Sequence, residues 1–149
     1  MFKGNFQHTI DSKGRMSVPT RFRDLIPDNG EGKQLVITFG ITGECLWAYP
    51  QEDWKEIEEQ IKETKSSPQK DAFVRNFIGN AHECTLDKMG RILIPIVLRE
   101  KAGLKKHVVA VGALQKFEIW DQGRFKALEE SEIPQTLAQQ FYESEEIRI

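Results

Sequence analysis

Two short segments of the chain carry residue types that can hold an anion or read a base. Residues 8–25 run His-Thr-Ile-Asp-Ser-Lys-Gly-Arg-Met-Ser-Val-Pro-Thr-Arg-Phe-Arg-Asp-Leu, and residues 84–101 run Cys-Thr-Leu-Asp-Lys-Met-Gly-Arg-Ile-Leu-Ile-Pro-Ile-Val-Leu-Arg-Glu-Lys. At an offset of 76, Thr9 matches Thr85, Asp11 Asp87, Gly14 Gly90, Arg15 Arg91, Pro19 Pro95 and Arg23 Arg99. An arginine leaving a tight turn projects a rigid fork that takes two acceptors at once, such as phosphate oxygens or O6 and N7 of guanine. The aspartate four residues earlier either orients that fork or only shapes the turn. In a single copy, an Asp–Arg pair that locks the turn and touches no ligand is the simpler reading.

The elements that position these residues follow from local pattern. Phe6, His8 and Ile10 alternate with polar neighbours, a period of two that suits a half-buried strand. Asp-x-x-Gly then makes a tight turn, because Asp accepts from backbone two residues on and Gly tolerates positive φ. The chain returns as Arg-Met-Ser-Val or Arg-Ile-Leu-Ile, which predicts a hairpin. Proline follows at once, unable to donate to a ladder but suited to a helix start. Short helices are therefore predicted over 19–26 and 95–102, with Phe22 and Leu98 inward and Gly103 ending the second. The likeness resumes at Leu35-Val36-Ile37-Thr38-Phe39-Gly40 against Val108-Val109-Ala110-Val111-Gly112, and at Cys45-Leu46-Trp47 against Glu118-Ile119-Trp120. Strands are predicted over 34–39, 45–50, 107–112 and 116–121. Helices are predicted over 51–64, with Trp54, Ile57 and Ile61 on one stripe, and over 69–79, 122–130 and 134–143. The chain is a duplication, with a first unit over 1–79 and a second over 80–149. The expected class is α+β, mainly β.

Composition narrows the function classes. The 149 residues are 39% hydrophobic and 30% charged, ordinary for a globular protein. The longest apolar run is far short of the roughly 20 residues a membrane span needs, and the N-terminus lacks a signal-peptide core. Two cysteines make no disulfide framework, so a cytoplasmic chain with reduced thiols is expected. Net charge is −2, but it is segregated. Residues 1–25 and 83–107 each carry +3, whereas 51–64 and 121–149 each carry −4. Two basic blocks suit an anionic partner held by two local patches.

The whole chain, from Met1-Phe-x-Gly through both Asp-x-x-x-Arg turns, resembles the MraZ family of bacterial transcriptional regulators of the division and cell-wall gene cluster. The resemblance covers all but the last few residues. It implies two AbrB-like swapped-hairpin β units forming an intramolecular pseudo-dimer with flanking helices. It also implies a ring-shaped homo-oligomer, nucleoid-associated, that binds double-stranded promoter DNA at short G-rich direct repeats. By the same resemblance the DNA-contacting positions fall on Arg15 and Arg91, with Asp11, Gly14, Asp87 and Gly90 forming the turns. Lys13 shares the first turn; the second has Met89 at that position, with Lys88 next to it. Arg21, Arg23 and Arg99 on the short helices are further candidates. Arg23 and Arg99 are each followed by an acid, so a salt bridge and a phosphate contact remain equal alternatives for them. Lys105 and Lys106 read as a solvated loop, with phosphate contact as the lesser alternative.

Other chemistry is weakly supported. His82, Cys84, Cys45 and His8 match no zinc spacing, and Cys84 aligns with His8 on a strand, which suits a structural thiol. There is no Gly-rich phosphate loop and no nucleophile elbow, so neither an enzyme, a cofactor, a metal nor a small-molecule substrate is expected. Trp47 and Trp120 match across the repeat and read as packing residues. The rival function is an antitoxin-like protein-interaction module with secondary DNA binding. Apolar Leu137, Phe141 and Tyr142 near the C-terminus argue against its disordered toxin-binding tail and for packing.

Overall fold

A computed structural model describes residues 1–148. Eight strands and six helices follow the predicted order. β1 (Asn5–Thr9), β2 (Arg15–Ser17) and α1 (Thr20–Arg23) precede β3 (Gln34–Phe39) and β4 (Leu46–Pro50); α2 (Gln51–Lys62) and α3 (Pro68–Phe77) complete the first repeat. The second repeat supplies β5 (His82–Thr85), β6 (Arg91–Leu93), α4 (Ile96–Lys101), β7 (His107–Ala113), β8 (Lys116–Asp121), α5 (Gln122–Glu130) and α6 (Ile133–Glu145). The first predicted helix is shorter than expected: regular helix ends at Arg23, and turns carry the chain to Ile26.

The simple hairpins are where the structure departs from local expectation. Each turn closes through a backbone bond, Asp11 to Arg15 and Asp87 to Arg91. In the first, the arms then share only the bridge between Ile10 and Met16. β1 leaves to pair with β7 and β5 leaves to pair with β3, so each repeat completes the other's β-meander. The result is a six-stranded sheet in the order β1-β7-β8-β4-β3-β5, all antiparallel, with the junction at β4 and β8. β2 and β6 form a separate two-stranded ribbon. This is the exchanged, two-unit AbrB-like architecture in mainly antiparallel β form.

Alternation along the strands builds three layers. Leu35, Ile37, Leu46, Ala48, Val108, Ala110, Phe117 and Ile119 point to one face, where they meet Met16, Ile92, Phe22 and Leu98 from the ribbon and the short helices. Phe22 packs against Phe2, Phe6 and Phe117 with ring centroids 4.9–5.3 Å apart, in range for favourable aromatic pairs. On the other face Val36 and Tyr49 meet Trp54 of α2 and Phe77 of α3, and Thr38 Oγ1 donates to the Phe77 carbonyl. α5 packs on β7 and β8, with Phe125 against Trp120. Trp54 and Trp120 are buried and Trp47 is half-buried, so all three serve packing. Helices therefore cover the side of the sheet opposite the ribbon.

The stripe of α6 contradicts one expectation. Leu137, Phe141 and Tyr142 do not pack within the chain; with Ile133 they are exposed. Cys45 and Cys84 are buried free thiols, and burial pushes them up to about 12 and about 11, so both stay protonated and structural. No helix among the described residues is long and apolar enough to cross a membrane.

Candidate nucleic-acid interface

The turns are built identically in both repeats. Asp11 Oδ1 accepts from the backbone N–H of Lys13 and of Arg15, both at 2.9 Å, and Oδ2 accepts from Arg15 Nε at 2.8 Å. Asp87 Oδ1 accepts from Met89 and Arg91 N–H, and its Oδ2 from Arg91 Nε, all at 2.9 Å. Bonds from the Arg15 backbone and then its side chain outweigh partial desolvation and hold the Asp11 carboxyl down to about 2. The matching bonds from Arg91 also lower Asp87. Each carboxylate thus shapes the turn and orients the guanidinium, the two roles left open by the sequence. Engaging Nε leaves the Nη1 and Nη2 edge of each fork with no hydrogen bond among the described residues, free for a ligand.

The ribbon brings the two forks to one surface. Met16 pairs with Ile92 and both are buried, so the alternate residues point outward. Arg15 stands opposite Leu93 and Ser17 opposite Arg91. The outer face therefore carries Arg15 and Arg91 on one diagonal, roughly 7–8 Å apart at the backbone. Their side chains are 34% and 26% exposed, enough to be reached while their stems stay supported. Lys13, Lys88 and Arg21 are exposed beside these elements in the chain.

Arg23 and Arg99 do something else. A Cβ built at Gly14 would lie 2.7 Å from Arg99 Cζ, and one at Gly90 would collide with the Arg23 guanidinium. Each arginine lies over the turn glycine of the other repeat, where φ is +87° at Gly14 and +75° at Gly90. Arg99 Nε donates to the Ile94 carbonyl at 2.9 Å, and Arg23 Nη2 donates to Thr20 Oγ1 at 2.8 Å. Neither forms an ion pair with the following acid among the described residues, which removes the salt-bridge alternative. Val18 N–H donates to the Gly90 carbonyl and Ile94 N–H to the Gly14 carbonyl, so each turn is also tied by backbone to the other repeat. The clamp was visible in sequence only as two matched arginines; what they grip depends on the exchange.

The surroundings of the two turns differ. The cleft beside the first is lined by Asp11, Ser12 and Arg99 together with Lys105 and Lys106, residues the sequence alone assigned to a solvated loop. The equivalent cleft beside the second holds Arg23, Lys33 and Lys88 with Asp24, Asp28 and Asp87. There Lys33 Nζ is spent on the Arg23 carbonyl at 2.6 Å. The field is positive at the first turn and close to neutral at the second.

A two-unit AbrB-like protein, with one Asp-x-x-x-Arg turn from each repeat meeting on a shared ribbon, is the class that this fold and site define. Comparison with known proteins gives the family. The model of the MraZ protein family, which its description calls antitoxin-like, matches twice, over residues 1–76 and 77–145. The transcriptional regulator MraZ of Lachnoclostridium phytofermentans is 43% identical over 127 residues, covering 85% of this chain and 86% of its own length. That of Shewanella denitrificans is 40% identical over 140 residues, 93% of this chain and 90% of its own. That of Desulforamulus reducens is 46% identical over 125 residues, 82% of each. The chain belongs to the MraZ family.

Proposed function

We propose that this protein is a sequence-specific DNA-binding transcriptional regulator whose β2–β6 ribbon enters the major groove. The observation that carries this reading is the pair of aspartate-held arginines with open Nη edges on one outward face. A two-stranded ribbon fits the major groove, and an arginine fork matches O6 and N7 of guanine. Arg15 and Arg91 are assigned to base edges; Lys13, Lys88 and Arg21 are assigned to phosphates, with Lys105 and Lys106 added beside the first turn. Arg23 and Arg99 are assigned to holding the turns. The acidic α2 sits across the sheet from the ribbon, away from the duplex.

The MraZ relationship extends the proposal to G-rich direct repeats in the promoter of the division and cell-wall cluster, in the cytoplasm at the nucleoid, and to a ring of identical subunits. The exposed Ile133, Leu137, Phe141 and Tyr142 of α6 support self-association, because an apolar stripe of this kind is costly to leave in water. Each protomer neutralises few phosphates, so linked protomers raise the effective concentration at the next repeat. A gel shift with the DNA upstream of the gene for this chain, at two salt concentrations, tests the reading. Salt-sensitive, sequence-selective binding that is lost in Arg15→Ala is expected; absence of binding at low salt would refute it.

A further inference from the structure

The turns match bond for bond, but the residues around their arginines do not. Where the first repeat has Lys13, Ser17, Thr20 and Arg21, the second has Met89, Leu93, Ile96 and Val97, and all four apolar side chains are exposed. Leu93 is the telling one. It is 57% exposed and stands directly across the ribbon from Arg15, whereas Arg91 has Ser17 across from it. Cross-strand partners on one face sit about 5 Å apart at the backbone, and base pairs stack about every 3.4 Å. An arginine on one base pair therefore brings its cross-strand neighbour to the adjoining pair.

In the major groove the one apolar group on a base edge is the thymine 5-methyl. We propose that Leu93, beside Arg15, reads a thymine methyl next to the guanine taken by Arg15. Ser17, beside Arg91, makes no such demand. This rests on the ribbon being the DNA-reading face. It makes the recognised site asymmetric although the two arginines are related by a pseudo-twofold. The lysines flanking the first turn anchor the phosphates on the same side, so the stronger electrostatic grip and the methyl contact fall together.

The test uses the full chain and its own upstream DNA, prepared with thymidine or with deoxyuridine throughout, which removes only methyl groups. Wild type is expected to bind the deoxyuridine duplex about fourfold more weakly for each methyl that Leu93 reads. Leu93→Ser should bind both duplexes alike, near the wild-type level on deoxyuridine DNA. Ser17→Leu should widen the difference between the duplexes. Leu93 is exposed and Ser17 is half-buried on the outward face of the ribbon, so little change in melting temperature is expected. Equal wild-type affinity for the two duplexes, or a methyl preference that survives in Leu93→Ser, would overturn the proposal. A change of oligomer size in Leu93→Ser with methyl preference intact would also overturn it and assign the patch to contact between copies. If instead Arg15→Ala and Arg91→Ala both bind like wild type, it is the ribbon reading itself that falls.

Discussion

The two Asp-x-x-x-Arg turns have the same internal geometry and different surroundings. Asp11 and Asp87 accept the same three bonds, and the two Asp–Arg ion pairs differ in length by 0.1 Å. Yet Arg15 lies beside Leu93 and its partner Asp11 shares a cleft with Lys105 and Lys106, whereas Arg91 lies beside Ser17 and its partner Asp87 shares a cleft with Asp24 and Asp28. Duplication preserved what the turn needs to exist and released what the turn meets. The motif is a mount; what the mounted residue does is set by residues that the other repeat brings to it.

The largest effect is expected from separating the repeats. Expressed alone, residues 1–79 lack β5 beside β3, β6 beside β2 and Arg99 over Gly14, and residues 80–149 lack the equivalents. Neither half is expected to form a folded monomer; the first should fold only as a dimer, with Arg23 of one copy over Gly14 of the other. Circular dichroism and light scattering measure this, and a cooperative monomeric fold in either half would break the claim that the units complete each other.

Next come the arginines. Removing a bidentate arginine from its base costs about 1–3 kcal/mol per site, amplified where several protomers bind together. Arg15→Ala should exceed Arg91→Ala, because the first side also carries the positive cleft. Lys105→Gln and Lys106→Gln should each lower the salt slope by about 1 if they reach phosphate. Binding isotherms over a salt series decide it; equal losses for the two arginines would make the turns equivalent after all.

The glycines are expected to act alike in both repeats. A side chain at positive φ costs about 1–2 kcal/mol, and here it also displaces the opposing arginine. Gly14→Ala and Gly90→Ala should each lower the melting temperature by several degrees. Calorimetry showing no shift would mean that the clamps are slack.

The smallest effect is on pH. Asp11 sits at about 2 against an ordinary 3.8, so its contribution to stability is full above pH about 4 and is lost as pH falls toward 2. DNA binding should therefore show no step from this carboxyl between pH 5 and 8. Asp11→Asn should flatten the acid end of the melting-temperature profile; an unchanged profile would show that the turn does not feel its carboxylate.

The repeat, the turn residues, the element order and the inward positions of Phe22 and Leu98 were determined by the sequence alone, because periodicity, proline and glycine act over a few residues. The Asp–Arg pairing in each turn was legible for the same reason: Asp and Arg four apart in a tight turn meet through local geometry. Strand exchange was legible only through the family resemblance, since an alternating strand carries the same pattern whether it pairs with its own return arm or with β7. Three consequences followed only from that pairing. Arg23 and Arg99 became clamps on the opposite turns instead of surface charges, Lys105 and Lys106 became neighbours of Asp11, and Leu93 was set across from Arg15. Local chemistry made two equal forks, and contacts with distant parts of the chain made them unequal.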